Sequence, residues 1–570
     1  MPIQGSPHEP VVQASAGASA PPAPAIAEPA RSVGSDRVLR SSDYPIYLVL
    51  TGLMLAALVV FLRYWFSLDF DVITVLLTLA FLYAIGIQIL TWLLLPTMRR
   101  PRPMPVREGW RVGVATTFVP GAESIEMLEE TLVALVALEY PHETWVLDEE
   151  DDHRVRELCH SLGARHFTRK HLPHYQAESG TFQSRSKIGN FNAWFQEVAF
   201  ERYDIIVGFD PDHVPAPVFL LHMLGYFDDP RIGYVQAAQV YYNQEASFIA
   251  RGAAEESYGY YSVSQMASYA GGYPIITGSH NAHRVAALKA VGGFPPHDAD
   301  DLMITLLYRA AGWEGVYVPK VLAHGITPVD WPGYLKQQLR WARSVLDVKF
   351  RAFPRLASHL PRKERLLGFL HGFYYLQGLW TVVLISVLAV MLITGVTPAT
   401  ISYTTLAYLL LLVAAFLPAR AFTQRFFLDW RRERGLHLRS RVLRAAKWPY
   451  LLLALVDTIL DRKRPYALTP KVKGAGRQPM LLWPHLVVAA VIAGAWAVGI
   501  ARGHDLHPLL HLWAGFTVLS SLALVWTERW SYPAPYDRQL WKRHQASATR
   551  SPSQSSAQAS TSEAVRVGSP

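Results

Sequence analysis

The chain has 570 residues, 51% of them hydrophobic and 17% charged, with a formal net charge of +9. That apolar share is too high for a chain disordered throughout. One cysteine, Cys159, excludes a disulfide scaffold and a cysteine-built metal or iron–sulfur centre, and it fits a reducing compartment. The basic balance fits either a nucleic-acid partner or Arg-rich membrane flanks, and the placement of the apolar residues decides between them.

Residues 1–43 are Ala/Pro-rich, without an apolar run, and read as a disordered tail with no cleavable signal. Residues 44–98 hold two transmembrane helices, Tyr44–Leu62 and Val72–Leu95, each near the ~20 apolar residues a bilayer demands. The link Ser67–Asp71 carries acid but no Lys or Arg, whereas Arg99, Arg100, Arg102 and Arg107 follow the second span. This asymmetry places the next domain, residues 107–353, on the cytoplasmic side of the cell membrane.

Two more spans lie in 366–420 (Leu366–Ile393 and Thr400–Leu417), and two in 480–527 (Met480–Ile500 and Leu509–Trp526). Residues 421–478 between them are basic. Within them Trp448–Leu460 is too short to cross and reads as an interfacial helix; if it did cross, all topology after it would invert. Residues 531–570 read as a disordered cytosolic tail. Six spans result. The basic excess flanks them, so no nucleic acid is expected as a partner.

Within 107–353, Trp110–Phe118 reads as a strand, and Ile125, Leu128, Leu132, Leu135 and Val136 mark one helical face. Thr144–Leu147 is a strand ending at Asp148, Val155–Leu162 a helix, and Arg165–Phe167 a further strand. This β-α-β-α-β order predicts a mainly parallel, doubly wound sheet with ligands beyond the carboxyl ends of its strands. Asp148 lies at one such end. The apolar run Asp204–Phe209 leads to another, at Asp210-Pro-Asp212-His213. Two carboxylates at i and i+2 are hard ligands suited to Mg²⁺ or Mn²⁺, although an Asp-Pro turn alone gives the same letters.

Other groups accompany them: Lys187-Ile-Gly-Asn-Phe-Asn192 upstream, and Gly278-Ser-His-Asn281 and Gly292-Gly-Phe294 downstream. Asp300 and Asp301 open a helix, where acids also serve as plain capping groups. Gln337, Arg340 and Trp341 share a helical face. Arg offers a planar fork for phosphate and Trp a flat surface for a sugar ring, but the pair also suits an interfacial anchor.

The ordered set Asp148, Asp210-x-Asp212, Asp301, Gln337-x-x-Arg340-Trp341 resembles the processive family 2 glycosyltransferases, in particular the cellulose synthase group. Tyr466-Ala-Leu-Thr469-Pro-Lys471 is similar to that group's gating loop. The resemblance implies a multi-pass α-helical membrane protein with a cytosolic α/β nucleotide-sugar-binding domain of the GT-A type. It implies that Asp148 holds uridine, Asp210 contacts the nucleotide-sugar, and Asp212 ligates Mg²⁺ or Mn²⁺ with Asp210. Asp301 matches the base, and Lys187 a basic position of the nucleotide site. Gln337 falls among the substrate-binding residues, Arg340 at the diphosphate, Trp341 at the acceptor sugar, and Thr469 and Lys471 over the diphosphate.

Departures from the pattern are Asp148-Glu149 in place of Asp-Asp, Ala299-Asp300-Asp301 in place of Thr-Glu-Asp, and His280 and Asn281 where smaller residues are frequent. No cyclic-di-GMP-sensing module is expected. The expected partners are a UDP-sugar, a β-glycan acceptor, the bilayer and accessory export subunits. The expected activity is inverting transfer, with glucose favoured, to a growing β-glycan exported through the spans. A non-processive enzyme acting on a lipid carrier, and a transporter or scaffold with an inactive domain, are the competing readings.

Overall fold

The computed structural model describes residues 32–120, 123–462, 478 and 480–530. Among these, six helices are long and apolar enough to cross a membrane: Ser41–Trp65, Val72–Thr97, Arg362–Thr394, Tyr403–Phe426, Trp483–Ala501 and Pro508–Arg529. They leave large apolar side chains such as Leu48, Leu53, Leu512, Phe516 and Leu519 exposed, as helices facing lipid do. The short strands Ser35–Arg37 and Arg99–Pro101 pair antiparallel, which ties the start of the first span to the end of the second.

Between the second and third spans lies an α/β domain with an eight-stranded sheet. Its strands are β1 (Val112–Phe118), β2 (Glu143–Asp148), β3 (Arg165–Phe167), β4 (Ile205–Phe209), β5 (Val214–Pro215), β6 (Ile232–Tyr241), β7 (Asn281–Arg284) and β8 (Glu314–Gly325). The spatial order is β3-β2-β1-β4-β7-β6-β8-β5. β1 pairs in parallel with β2 and β4, β2 with β3, and β6 with β8. β7 is antiparallel to both β4 and β6, and β5 to β8.

The sheet is therefore mixed, not mainly parallel as the element order predicts. β7 spans only Asn281–Arg284, too short to show a periodicity. Strands β1, β2 and β4 are buried along almost their whole length, the pattern of central strands covered on both faces.

The third span also differs from its expected form. It is broken: Arg362–Leu370 is helical, Gly372 takes a left-handed φ of +85°, and the long helix resumes at Gln377–Thr394. A Cβ on Gly372 would come 2.8 Å from Val345 Cγ1, so the turn needs glycine for conformation and for space. The break projects Tyr374 and Tyr375 toward the α/β domain.

Trp448–Ile459 is a helix of 12 residues, about 18 Å long at ~1.5 Å per residue and short of a ~30 Å hydrocarbon core. Its Leu451, Ala454 and Leu455 pack on Ala342 and Leu346 of the helix Trp331–Asp347. It also lies close against the third span, where a Cβ on Gly378 would fall 2.6 Å from Leu452 N. Gly378→Ala is expected to cost about 1–3 kcal/mol through overpacking, read as a lower unfolding midpoint in detergent. An unchanged midpoint would show that these helices are not in close contact.

Candidate active site

Neighbouring parallel strands end on one side of the sheet, and their ends define the site. β1 ends near Thr117, and β4 delivers Asp210 immediately after Phe209. β7 runs the other way, with Gly208 opposite Asn281, so the turn Gly278–His280 that precedes it reaches the same side. Gly278 is left-handed, with φ +68°, and a Cβ there would lie 3.7 Å from Asp301 Oδ2.

Lys187 opens the helix Lys187–Trp194, whose first turn is capped by Ser186 accepting from Gly189 N. Its Nζ donates to Asp210 Oδ1 at 2.5 Å and to the Gly278 carbonyl at 2.8 Å. One ammonium thus joins the end of β4 to the turn before β7. Asp210 N donates to Ser279 Oγ at 3.1 Å, a second tie between the same segments.

Asp212 is buried beside His213. Tyr261 OH donates to Gln239 Oε1 at 2.8 Å, and Gln239 Nε2 donates to His213 Nε2 at 2.7 Å. His213 Nε2 is thereby assigned as the acceptor, which leaves Nδ1 to donate to Asp212 Oδ1 at 3.2 Å. Ligand atoms of Asp210, Asp212 and His213 all lie within 4.8 Å of one another. Two carboxylates at that spacing fit a hard divalent cation.

The helix Asp300–Ala310 begins with both acids in its first turn. Asp301 Oδ1 accepts from Leu302 N at 2.7 Å. Burial, reinforced by the negative charge of Asp300, pushes the Asp301 carboxyl up to about 7. Burial raises Asp300 as well, against the pull of Lys187. The helix Trp331–Asp347 starts at Asp330, which caps it by accepting from Gly333 N at 2.9 Å.

Lys187, Asp210, Asp212, Asp301, Gln337, Arg340 and Trp341 all line one cavity of about 1240 Å³. Trp341 remains 37% exposed within it. The same cavity reaches the membrane helices, where Leu82, Tyr83, Gly86, Leu90, Tyr374 and Tyr375 form its wall. The aromatic wall was not anticipated from the sequence; the helix break at Gly372 is the feature that places it, and a lone His-Gly pair gives little warning.

Asp148 stands apart from this cavity. Its side chain is fully buried; Oδ1 accepts from Glu150 N at 3.1 Å, and Oδ2 from Asp152 N at 2.6 Å, with His166 Nε2 at 3.1 Å. Thr469 and Lys471 lie outside the described residues.

Glu149 has a structural task that the sequence did not reveal. It forms a buried fork with Arg169 (Nη2 to Oε1 at 2.8 Å, Nε to Oε2 at 3.2 Å) and accepts from Arg185 N at 2.7 Å. Arg169 also donates to the carbonyls of Tyr175, Phe182 and Gln183. This pair fastens the loop that leads into Lys187.

Residues 113–344 match the family model described as "Glycosyltransferase like family 2". The chain is cellulose synthase-like in sequence. It is 24% identical over 307 residues to "Cellulose synthase 2" of Novacetimonas hansenii, covering 52% of this chain and 18% of that protein. It is 25% identical to the cellulose synthase catalytic subunit [UDP-forming] of Xanthomonas axonopodis pv. citri, covering 51% of this chain and 40% of that one. The chain thus spans well under two thirds of the length of these relatives. Among solved structures, a mannosyltransferase from Pyrobaculum calidifontis in complex with GDP-Man and Mn²⁺ superposes with a TM-score of 0.44 at 18% identity. That superposition covers 74% of this chain and 99% of that one. No residue role is carried over at that level of similarity.

Arg169→Met would leave Glu149 buried without its partner, at an expected cost of about 3–5 kcal/mol. The expected result is a lower unfolding midpoint and protease cleavage between Lys170 and Ser186. Wild-type resistance would mean that the loop is held by other contacts.

Proposed function

We propose that the protein is a membrane-embedded inverting glycosyltransferase. It transfers a sugar, with glucose favoured, from a UDP-sugar to a growing β-glycan, and passes that glycan out between its spans. The observation that carries this reading is the single cavity that joins the acid cluster and the Gln337–Trp341 helix face to the membrane helices.

In this reading the nucleotide-sugar lies across the ends of β1 and β4, with Asp148 assigned to the uridine side. Asp210 and Asp212 hold Mg²⁺ or Mn²⁺, and His213 orients Asp212 through its Nδ1–H. When bound, that ion screens the donor diphosphate. Arg340 offers a guanidinium fork to the same diphosphate, and Gln337, one turn earlier, offers an amide. Thr469 and Lys471 are assigned to close over it. Trp341 stacks on the terminal acceptor sugar.

Asp301 accepts the proton of the acceptor hydroxyl as that oxygen attacks the anomeric carbon. The bond to the diphosphate breaks on the opposite face, so the configuration inverts. A carboxyl held near neutrality by burial suits this base role. The domain limits follow the same reading: residues 107–353 catalytic and cytoplasmic, with 421–478 on the same face.

Inverted membrane vesicles given labelled UDP- and GDP-sugars with Mg²⁺ or Mn²⁺ test the reading. High-molecular-weight label is expected from one UDP-sugar. Asp301→Asn is expected to lower transfer by about 10²–10⁴-fold while UDP binding survives. Label found only in extractable lipid would replace the polymer by a lipid-linked product, and near-normal turnover of Asp301→Asn would remove the base assignment.

The pH profile gives a separate check. Asp301 must be ionised to accept a proton, so transfer is expected to fall as pH drops through about 7. Asp300→Asn removes a neighbouring negative charge and lowers the Asp301 pKa, so the acidic limb is expected to move to lower pH. A limb that stays in place would mean that another group sets it.

A further inference from the structure

Where the membrane helices close over the cavity, positive charge outnumbers negative. The helix Leu438–Ala446 presents Arg441 and Arg444 at i and i+3, on one face. Arg420, near the end of the helix Tyr403–Thr423, feels the like charges of both. Arg444 lines the cavity, its guanidinium 5.6 Å from the Tyr374 ring centre.

The nearby acids have closer partners of their own, although the charge of Glu256 also acts on Arg444. Glu256 takes Lys447 Nζ at 3.0 and 2.9 Å and Tyr334 OH at 2.6 Å. Glu255 accepts from Ser440 N at 3.1 Å and faces Arg439 at 3.5 Å and Arg251 at 3.8 Å. Glu433 accepts from Asp429 N at 3.2 Å. Among the described residues no acid lies within ion-pair distance of Arg420, Arg441 or Arg444.

Two donors are left over as well. The Nε atoms of Arg420 and Arg444 are both buried without a hydrogen-bond partner, although Arg420 Nη2 donates to His437 Nδ1 at 3.3 Å. Arg444 is hydrogen-bonded to Tyr374 as well, so the remaining need is at the two Nε atoms; like-charged, partly buried guanidinium groups with unmet donors are costly unless an anion joins them. A phosphate has enough oxygens to take more than one guanidinium fork. The location adds a second requirement. Arg420 ends a candidate membrane span, and the cavity beside Arg444 is walled by Leu82, Gly86 and Leu90 of another, a surface for an acyl or prenyl chain.

We propose that Arg420, Arg441 and Arg444 form a binding site for the phosphate group of a lipid, with its hydrocarbon chain lying along the second span. Basic pockets between transmembrane helices take lipid head groups by this chemistry. The site goes beyond the proposed transfer reaction: it needs a phosphate, which a neutral β-glycan does not supply. The lipid is either a resident phospholipid or a phosphate-bearing acceptor.

The test uses the full chain in detergent, with binding followed by native mass spectrometry and thermal unfolding. Phosphatidic acid is expected to bind and raise the midpoint, while diacylglycerol with the same tails does neither. Arg420→Gln combined with Arg444→Gln is expected to weaken phosphatidic acid binding at least tenfold with UDP binding intact, and the Lys pair is expected to recover part of it. Equal binding of the two lipids by wild type, or wild-type affinity in the Gln pair, would overturn the site. If the Gln pair does not fold, the wild-type comparison decides.

Farnesyl phosphate, offered with a labelled UDP-sugar, separates the two sources. Binding without label transfer makes the site a phospholipid site and leaves the polymer reading standing. Labelled farnesyl phosphate upholds the site and replaces the polymer reading by a lipid-linked one.

Discussion

Four carboxylates, those of Asp210, Asp212, Asp300 and Asp301, face one cavity, and this crowding of negative charge is the constraint on which the rest of the site depends. Like charges held in a partly desolvated space are unfavourable unless cations answer them or protons neutralise them. Both answers are present. Lys187 reaches Asp210 directly, and the Asp301 carboxyl is pushed up to about 7. The Asp210–Asp212 spacing leaves room for a third, a divalent cation. The same crowding that strains the resting site suits it to bind a cationic centre and to accept a proton.

The surrounding fold fixes these groups in place. The parallel strands bring Asp210 to the carboxyl end of the central strand β4, and the antiparallel β7 brings Gly278 to meet it. The buried Glu149–Arg169 fork secures the loop leading to Lys187, and the Tyr261–Gln239–His213 chain sets the direction of the Asp212 carboxylate. On the membrane side, Gly372 breaks the third span and turns Tyr374 and Tyr375 into the cavity wall. The helix Trp331–Asp347 connects the two halves: its cavity face carries Gln337, Arg340 and Trp341, while Ala342 and Leu346 pack on the short helix at Trp448.

Much of the fold was legible because long apolar runs and helical periodicity are local signals. Six spans and the β-α-β-α-β start follow from them directly. β7 was not legible, since four residues carry no period and their pairing is set by β4 and β6 on either side. The third span looked continuous because hydropathy does not register a left-handed glycine. Lys187, Asp210, Asp212, Asp301, Gln337, Arg340 and Trp341 were singled out as spaced motifs, and one cavity holds them. Asp148 sits at a strand end as expected, and its oxygens accept from Glu150 N and Asp152 N of the adjoining loop. Arg169, Gln239 and the Arg420–Arg444 corner were invisible, because each acts through partners distant in sequence.

The proposed function depends on one continuous path from the acid cluster past Trp341 to the membrane helices, along which the product would leave. Electron cryomicroscopy of the full chain in lipid nanodiscs, during turnover with a UDP-sugar and Mn²⁺, tests it most directly. Glycan density stacked on Trp341 and continuing past Tyr374 and Tyr83 between the spans is expected. Density that ends at Trp341, with the product leaving sideways on a lipid, would contradict it.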